Sequence, residues 1–416
     1  YPGSGVNSNF VSVSVHALPS YVPVNPDGTA TYRTELNNYT IGDGIYADLL
    51  HGKTKGGTRQ HELINTVGAT FKINPDLNIN ANYTLTVVNG NSFHRQTAAP
   101  WSIFPGVISY VNNDDLWQQD DNRLVHVLNL YGNYSKQFGK HSLNVTAGVN
   151  EELQRYKMLY AERKDLLSEE LNEVALGTGD ASVNSNNQEL ALLGTFGRVA
   201  YSYADKYLVE FNGRYDGSSR FPSNRRFGFF PSVSAGWRMS EEAFFAPVKK
   251  IVNDIKWRAS YGALGNQDVR NNYYPYVPIM GMGTLSYITE GKRTQYVSLP
   301  GPISPDLTWE KVNSTNFGVD MSFLRNRLSV TYDWYVRNTK DMLTKGMTLP
   351  AVFGAGEPKQ NAADLRSQGW EVNMDWRSTA VVSGKPFNYN VGFNVADFKA
   401  EITKFDNPNQ ILSDYY

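Results

Sequence analysis

The sequence holds few residue patterns that could carry out covalent chemistry. It has no cysteine, so neither a thiolate metal site nor a cysteine nucleophile can form. None of its six histidines pairs with another at the spacing of helical metal ligands, and the HExxH and GxSxG motifs are absent. The sequence therefore predicts no catalytic residue, no catalytic metal and no cofactor, and a protein that is not an enzyme.

Four aspartates are the one candidate metal site. Asp114, Asp115, Asp120 and Asp121 lie in the segment NNDDLWQQDDN, residues 112–122. Their carboxylates could supply the oxygen ligands that calcium prefers. The segment lacks the ordered spacing and the glycine of an EF-hand loop, so the pattern favours a solvated acidic loop over calcium binding.

Aromatic side chains in the long connections, and charged residues on and just after one strand, are the candidates for binding a solute. The rings could stack on sugar rings or hold peptide side chains. They could equally fold the loops on themselves, and both interpretations stay open. The predicted substrate-binding residues are Trp101, Trp117, Arg214, Asp216, Arg220, Tyr273, Tyr274 and Tyr276.

Strands with a period of two are the elements that must position these residues. The segment LNINANYTLTV, residues 77–87, has one apolar face and one face of asparagine and threonine. The same alternation recurs in LSVTYDWYVRN (328–338), WEVNMDWR (370–377) and FNYNVGFNV (387–395). The best helix candidate is SEEAFFAPVKKIV, residues 240–252. Further strand segments, for roughly thirteen in all, lie near residues 8–16, 62–73, 124–136, 142–153, 193–205, 207–217, 226–238, 255–262 and 308–323.

The connections between these strands alternate in length. The long ones cover about 18–61, 89–123, 154–192, 263–307 and 339–367, and short links stand between them. A soluble sandwich would pack the apolar faces inward, whereas a membrane barrel turns them to lipid and lines its lumen with the polar faces. Loop asymmetry, long strands and many aromatic residues favour the barrel, with long loops outside and short turns in the periplasm.

Charge and hydropathy are consistent with a barrel. The formal charge is -1, which gives no reason to predict nucleic-acid binding. The mean hydropathy is -0.44, and no run of ~20 apolar residues could form a spanning helix. Charged strand residues such as Glu210, Arg214 and Asp216 keep to the polar parity, as lipid contact requires. Tyr207 and Tyr215 bound one apolar face and lie ~19 Å apart along the membrane normal, close to the height of a lipid-facing band.

Four segments carry a more specific signal. They are YLVEFNGRYDGSSRFPSNRRFGFFPSVSAGWRMSEEAFF (207–245), WRASYGALGNQ (257–267), LTWEKVNSTNFGVDMSFLRNRLSVTYDWYVRNTKDML (307–343) and DLRSQGWEVNMDWR (364–377). They resemble the SusC/RagA family of TonB-dependent outer-membrane transporters of Bacteroidetes. The resemblance implies an all-β transmembrane antiparallel barrel of about 22 strands, plugged by an N-terminal domain, in the outer membrane of a Gram-negative bacterium.

The resemblance also implies a function. Family members import glycans or oligopeptides, are energised by the TonB complex, and work with a SusD-like surface lipoprotein that lids the barrel. A dimer of transporter–lipoprotein pairs is a candidate assembly, and membrane lipid surrounds the wall. Two other functions stay open: a TonB-dependent siderophore or cobalamin receptor without a lipoprotein lid, and a soluble β-rich adhesin or carbohydrate-binding protein.

The sequence departs from the full family pattern in three ways. Its strands fall short of the family number, no segment before residue 60 reads as a plug or a TonB box, and the end NPNQILSDYY is not an alternating strand. We therefore predict that residues 1–416 are a portion of one barrel domain.

Overall fold

The computed structural model consists almost wholly of strands. It describes residues 24–31, 45–102, 106–111, 113–269, 273–289, 291–345, 349–354 and 358–405. Its strands are β1 (Lys55–Asn74), β2 (Leu77–Gln96), β3 (Ala99–Trp101), β4 (Ser109–Val111), β5 (Asp115–Phe138), β6 (His141–Arg163), β7 (Ala181–Tyr203), β8 (Tyr207–Ser218), β9 (Phe227–Arg238), β10 (Val252–Asn266), β11 (Met282–Thr289), β12 (Lys292–Val297), β13 (Glu310–Phe323), β14 (Leu328–Lys345), β15 (Lys359–Val382) and β16 (Lys385–Phe405).

Twelve of these strands form one sheet within the described residues. Their order is β1-β2-β5-β6-β7-β8-β9-β10-β13-β14-β15-β16, so neighbours in the sheet are neighbours along the chain once β3–β4 and β11–β12 are set aside. Every strand predicted from residue 62 onward corresponds to one strand of this sheet. The strand predicted near 8–16 lies outside the described residues.

The remaining elements are small. β3 pairs with β4 and β11 with β12 as separate antiparallel ribbons. Among the described residues before β1 lies a short helix, α1 (Ile45–His51). In the described part of the chain, no helix has the length and apolar character needed to cross a membrane.

Two compact units divide the chain. The first unit comprises residues 1–65, 84–126 and 154–189. It contains α1, the β3–β4 ribbon and the adjoining ends of the long strands, and its apolar core joins Ala30, Ala47 and Ala99.

The second unit comprises residues 66–83, 127–153 and 190–416. It contains β8 to β16 and the remaining parts of the earlier strands. Its apolar core is a compact cluster at the ends of β8, β9 and β13, made by Phe221, Phe230, Val269, Leu307 and Trp309.

The register of β10, β13 and β14 separates an apolar from a polar face. Residues directly opposite each other in an antiparallel pair share a face. Arg258 lies opposite Gly318, which lies opposite Asp333. On the other face Phe317 lies opposite Trp334, and the two side chains are 53% and 38% exposed. Large apolar side chains are therefore exposed on one face of the sheet and do not pack into a core. A lipid-facing wall requires such a face.

Aromatic side chains bound this apolar face at both ends of β8. At one end Tyr207 lies opposite both Tyr203 and Trp237. At the other end Tyr215 lies opposite Phe229, and its ring stacks on another aromatic ring 5.2 Å away. The two aromatic rows are separated by the length of β8 between Tyr207 and Tyr215. Such rows are typical of the girdles that a barrel has at the two membrane interfaces.

The strands run further than the alternation predicts. β2 continues to Gln96 and β5 begins at Asp115, so both ends of the predicted loop 89–123 are paired strand. β6 and β7 extend in the same way into the predicted loop 154–192. Backbone pairing does not depend on amphipathicity, and the alternating signal fades where both faces meet water.

The short links are tight turns, as predicted. Ala204 and Asp205 join β7 to β8, and Leu324, Arg325 and Asn326 join β13 to β14, all with positive φ between 52° and 61°. A left-handed backbone reverses the chain within a few residues.

The helix predicted over residues 240–252 is wrong. The segment forms two 3₁₀ turns, Met239–Glu241 and Ala243–Phe245, followed by further turns. Pro247 lacks the backbone donor that an α-helix needs in its interior. The Ser240 hydroxyl, expected as a helix cap, bonds the Asp254 carboxylate instead.

Candidate functional site

The predicted substrate-binding residues fall into separate places. Trp101 and Trp117 belong to the first unit, whereas the other six belong to the second.

Arg220 and Tyr273 are brought together in the second unit. The Arg220 guanidinium lies over the Tyr273 ring, 5.5 Å from its centroid, where a cation–π attraction holds it. Its Nη1 donates to the Gln267 carbonyl oxygen at 3.2 Å and lies 3.8 Å from the Asp268 carboxylate. Nε of Arg220 and Oε1 of Gln267 are buried and have no hydrogen-bond partner among the residues that the structure describes. Tyr274 and Tyr276 follow in the same segment, both half-buried.

Arg214 and Asp216 form a bidentate pair on the polar face of β8. Nε and Nη2 of Arg214 donate to the two carboxylate oxygens at 3.0 and 2.8 Å. The guanidinium also lies 5.4 Å from the centroid of the Phe196 ring. Gly194, opposite Asp216 on β7, makes room, because a Cβ there would lie 2.2 Å from Asp216 Oδ1.

Arg258 is the centre of a larger charged network. Its Nε and Nη2 donate to Asp320 at 2.8 and 2.9 Å, and Nη2 lies 3.0 Å from an oxygen of Asp333. Arg258 and Asp333 face each other across Gly318, so the missing side chain lets the guanidinium reach a second carboxylate. Lys256 lies opposite Asp320 in the register, so two cations and two acids share this part of the polar face.

A polar groove of about 410 Å³ lies beside this network. Among its lining residues are Glu210, Lys256, Arg258, Ser260 and Asn316. Glu210 accepts hydrogen bonds from Arg198 at 2.6 Å and from Asn212 at 2.9 Å. Donors and acceptors of both signs, held in place by each other, can bind a polar solute but do not form an ion-selective path.

Trp117 is the centre of an aromatic row in the first unit. Its ring lies 6.0 Å from the ring of His94 and 5.8 Å from that of Tyr160. The residue is in β5, not in a loop as predicted. Trp101 is in β3 and packs on the Ala30, Ala47 and Ala99 core, so it stabilises the fold of its unit.

The four aspartates do not form the candidate calcium site. No three acidic or histidine groups in the described residues, which include all four, could hold one ion. Asp114 binds the Arg95 guanidinium at 3.2 Å, Asp120 accepts from Asn91 at 2.7 Å, and Asp121 accepts from a tyrosine hydroxyl. The physical reason is that β5 begins at Asp115, and successive strand residues point to opposite faces.

Sequence reasoning missed a buried arginine. Arg95 is 0% exposed, and it donates to the carbonyl oxygens of Gln96, Asp115 and Ser168 as well as to Asp114. It therefore fastens the loop that follows β6 to the start of β5. Its neighbours in sequence carry no motif that would signal this role.

A second missed contact joins the segment after α1 to the same loop. Lys53 lies 2.6 Å from Glu170 and 3.1 Å from Glu169. Hydrogen bonding to Glu170, and next to Glu169, raises the pKa of Lys53, and the bond from Lys53 lowers the pKa of the Glu170 carboxyl. All three side chains are half or more exposed, so the pair contributes little stability.

These features define an outer-membrane β-barrel wall: a long sheet with one lipid-facing apolar face, a polar face with charged networks, and aromatic rows at both interfaces. The chain belongs to the TonB dependent receptor-like, beta-barrel family, whose model matches residues 9–414.

Similar proteins are other receptors of this family. The chain is 29% identical to TonB-dependent receptor P3 of Formosa agariphila over 68% of its own length and 28% of that receptor's. It is 28% identical to TonB-dependent receptor SusC of Bacteroides thetaiotaomicron over 74% of its own length and 30% of that receptor's. The chain thus spans less than a third of the length of the curated relatives it matches.

A solved structure shares the fold. The structure of the RagAB peptide transporter superposes with a TM-score of 0.77, at 22% identity, over 97% of this chain and 43% of that one. The resemblance to SusC/RagA receptors is confirmed, and with it an all-β barrel fold and an outer-membrane location. The twelve-stranded sheet is part of such a barrel.

Proposed function

We propose that this protein imports glycans or oligopeptides across the outer membrane, with energy from the TonB complex. Membership of the TonB-dependent receptor family carries the proposal, and the SusC relative supports it. The RagAB peptide transporter supports the fold of the wall. The mechanism is binding followed by gated passage, so no catalytic residues are assigned and the protein is not an enzyme.

A SusD-like surface lipoprotein is the proposed partner. Such a partner would lie over the ends of the strands that carry the long connections, which we place outside the cell. We further propose that two transporter–lipoprotein pairs associate.

Cargo contacts are proposed at the polar face and at its outer end. The Arg220–Tyr273 pair combines an aromatic face with a cation whose buried Nε has no partner within the described part of the chain. Trp117, with its two aromatic neighbours, offers a second aromatic surface. The Arg214–Asp216 pair supplies polar groups on the same face as the groove.

The test is purification of the receptor from native outer membranes in mild detergent, followed by mass spectrometry of co-purifying proteins and small molecules. A stoichiometric surface lipoprotein with a bound glycan or peptide is the expected result. A receptor that carries a metal chelate and has no lipoprotein would replace this proposal with a siderophore or cobalamin receptor. Extraction by salt without detergent would contradict the membrane location itself.

A further inference from the structure

The polar face of the second unit has a neutral part and a charged part. The neutral part, called the amide face below, lies on residues 66–74 of β1, 77–83 of β2, 127–138 of β5 and 141–153 of β6. Within these described strands its charged residues are Lys72 and Glu152. Its asparagines are Asn74, Asn78, Asn80, Asn82, Asn129, Asn133, Asn144 and Asn150.

Hydrogen bonds join these amides into a ladder across four strands. Thr70 Oγ1 donates to Asn80 Oδ1 at 2.8 Å, and Asn80 Nδ2 donates to Asn78 Oδ1 at 2.7 Å. Asn133 Nδ2 donates to the same Asn78 oxygen at 3.2 Å, and Thr146 Oγ1 donates to Asn133 Oδ1 at 2.9 Å. The side chains of β1, β2, β5 and β6 therefore form one continuous neutral surface.

The ladder continues along the strands as well as across them. Asn150 Nδ2 donates to Asn129 Oδ1, and Ser135 Oγ donates to Asn144 Oδ1, both at 2.7 Å. At ~3.3 Å per residue and a tilt near 45°, the distance from Asn144 to Asn150 is ~14 Å along the membrane normal. The amide face therefore covers more than half of an apolar band of about 25 Å.

The amides keep hydrogen-bond capacity for a solute. An asparagine side chain has two N–H donors and an oxygen with two lone pairs. Asn80 and Asn133 each use one N–H and one lone pair in the ladder. Both residues are half-buried, so their remaining groups are accessible from the lumen. A hydroxyl group also donates and accepts, so it can bond to any of these amides in turn.

Gly148 leaves room for an aromatic surface on the same face. A Cβ at this position would lie 2.5 Å from Cβ of Tyr131 and 2.8 Å from Cζ of Phe196. The two side chains therefore lie against the glycine from β5 and from β7. Aromatic rings offer a flat apolar surface on which the faces of sugar rings can pack. The amide face thus combines neutral hydrogen-bonding groups with a surface for stacking.

The charged part of the polar face has a different chemistry. It runs from β7 to β15 and contains the Arg198–Glu210 pair, the Arg214–Asp216 pair and the Arg258 network. Charge-assisted hydrogen bonds are roughly twice as strong as neutral ones. A solute that moves through a pore needs contacts that it can leave quickly. Neutral amides that repeat along the wall meet this requirement better than paired charges do.

We propose that cargo crosses the membrane along the amide face, while the charged part stays in contact with the plug that a barrel of about 22 strands contains. The solute that fits this surface is neutral and rich in hydroxyl groups. This inference rests on the proposed import function and adds the side of the lumen along which import takes place.

The experiment places single cysteines in the full receptor, in a background without other cysteines. Asn133→Cys tests the amide face, and Asn316→Cys is the matched control in the charged part. Both are half-buried asparagines of the polar face, and each is hydrogen-bonded to a hydroxyl of the neighbouring strand. Asn80→Cys and Asn150→Cys are further positions on the amide face. Intact cells are treated with dextran maleimide, a neutral hydroxyl-rich reagent, before and after an uncoupler removes the proton-motive force.

We expect Asn133→Cys to be labelled about tenfold faster with the proton-motive force than without it, and Asn316→Cys to be unaffected. Gel shifts measure labelling, and heat-modified migration shows that each variant is folded. The two further positions keep the test valid if Asn133→Cys does not fold. Energy-dependent labelling of Asn316→Cys alone, or of both faces equally, would overturn this inference and leave the import proposal intact. No energy-dependent labelling at any position would overturn both.

Discussion

Gly318 permits the Arg258 network by having no side chain. A Cβ at position 318 would lie 2.3 Å from Asp333 Oδ1 and 2.7 Å from Arg258 Nη2. We expect Gly318→Ala to separate Arg258 from Asp333 and to lower the free energy of unfolding by about 1–3 kcal/mol. Urea titration of the folded receptor in lipid vesicles measures this.

Gly197→Ala is the matched control for that substitution. Gly197 is also in a strand of the same unit, but its nearest neighbour to an added Cβ is a backbone oxygen 4.0 Å away. We expect little change in its free energy of unfolding. Equal losses for the two alanine variants would show that glycine replacement in a strand, and not the charged network, sets the cost.

Tyr207 makes its aromatic row, shared with Tyr203 and Trp237, sensitive to pH. Its hydroxyl donates to Glu242 at 2.6 Å, and the Trp237 indole donates to the same carboxylate at 3.3 Å. These two bonds, with that from Tyr207 the larger cause, lower the pKa of Glu242 below its ordinary 4.5. A lowered carboxyl pKa gives stability that is present above the ordinary pKa and is lost as pH falls through the lowered one.

We therefore expect Tyr207→Phe to lower the unfolding temperature at neutral pH and to approach the wild-type value in acid below the pKa of Glu242. Tyr215→Phe is the control, since the Tyr215 hydroxyl has no hydrogen bond within the described residues. Thermal unfolding followed by circular dichroism across pH measures both. A difference between Tyr207→Phe and wild type that stays constant through acid pH would contradict the assignment to Glu242.

Arg95 holds the loop of residues 164–180 in place through its hydrogen bond to Ser168. Its removal leaves Asp114 and three carbonyl oxygens without their donor. Breaking a buried ion pair typically costs roughly 3–5 kcal/mol, so we expect Arg95→Ala to free this loop. Hydrogen exchange by mass spectrometry should show faster exchange in residues 164–180.

Arg123→Ala serves as the comparison, because Arg123 is an exposed arginine of β5. Its exchange pattern over the same loop should match the wild type. Unchanged exchange in Arg95→Ala would mean that the loop is held by other contacts.

Strand existence could be predicted from the sequence, whereas strand length could not. The alternation in residues 77–87 identifies β2, yet β2 runs on to Gln96 through asparagine, serine and histidine. In that outer part both faces meet water, so no amphipathic pattern is needed. The helix predicted over 240–252 was wrong because a local signal was present without the element. Ser240 and the acidic residues after it match the start of a helix, but Pro247 prevents an α-helix from forming.

The candidate site could be predicted in part. Arg220 and Tyr273 are both named by sequence and meet in the structure, although nothing in the sequence shows that they touch. Trp101 packs on alanines in a small core, which an aromatic residue in an apparent loop cannot reveal. The role of Arg95 becomes visible only in the structure, because its partner Ser168 is 73 residues away along the chain.

The two faces of the sheet differ in the side chains they tolerate, because only the apolar face contacts lipid. Phe317 lies on the apolar face, and at ~3.3 Å per residue and 45° tilt it stands ~14 Å above Phe323, near the middle of a band of about 25 Å. We expect Phe317→Arg to cost about 2–4 kcal/mol and to reduce the folded receptor in outer membranes.

The neighbouring residue Asn316 is the control for Phe317. It lies on the polar face and donates to Ser260 at 3.2 Å. Asn316→Arg should be recovered in the membrane at close to the wild-type amount. Equal loss of both arginine variants on immunoblots of membrane fractions would mean that lipid contact does not set the cost.

The strand extension described above determines how the outward surface meets a ligand. β5 has 24 residues, so at ~3.4 Å per residue it is ~80 Å long, although crossing a band of about 25 Å at 45° uses only ~35 Å. More than half of such a strand stands clear of lipid as paired ribbon. Backbone hydrogen bonds between the paired strands already fix the backbone that carries these side chains. A ligand that binds there therefore costs little conformational entropy.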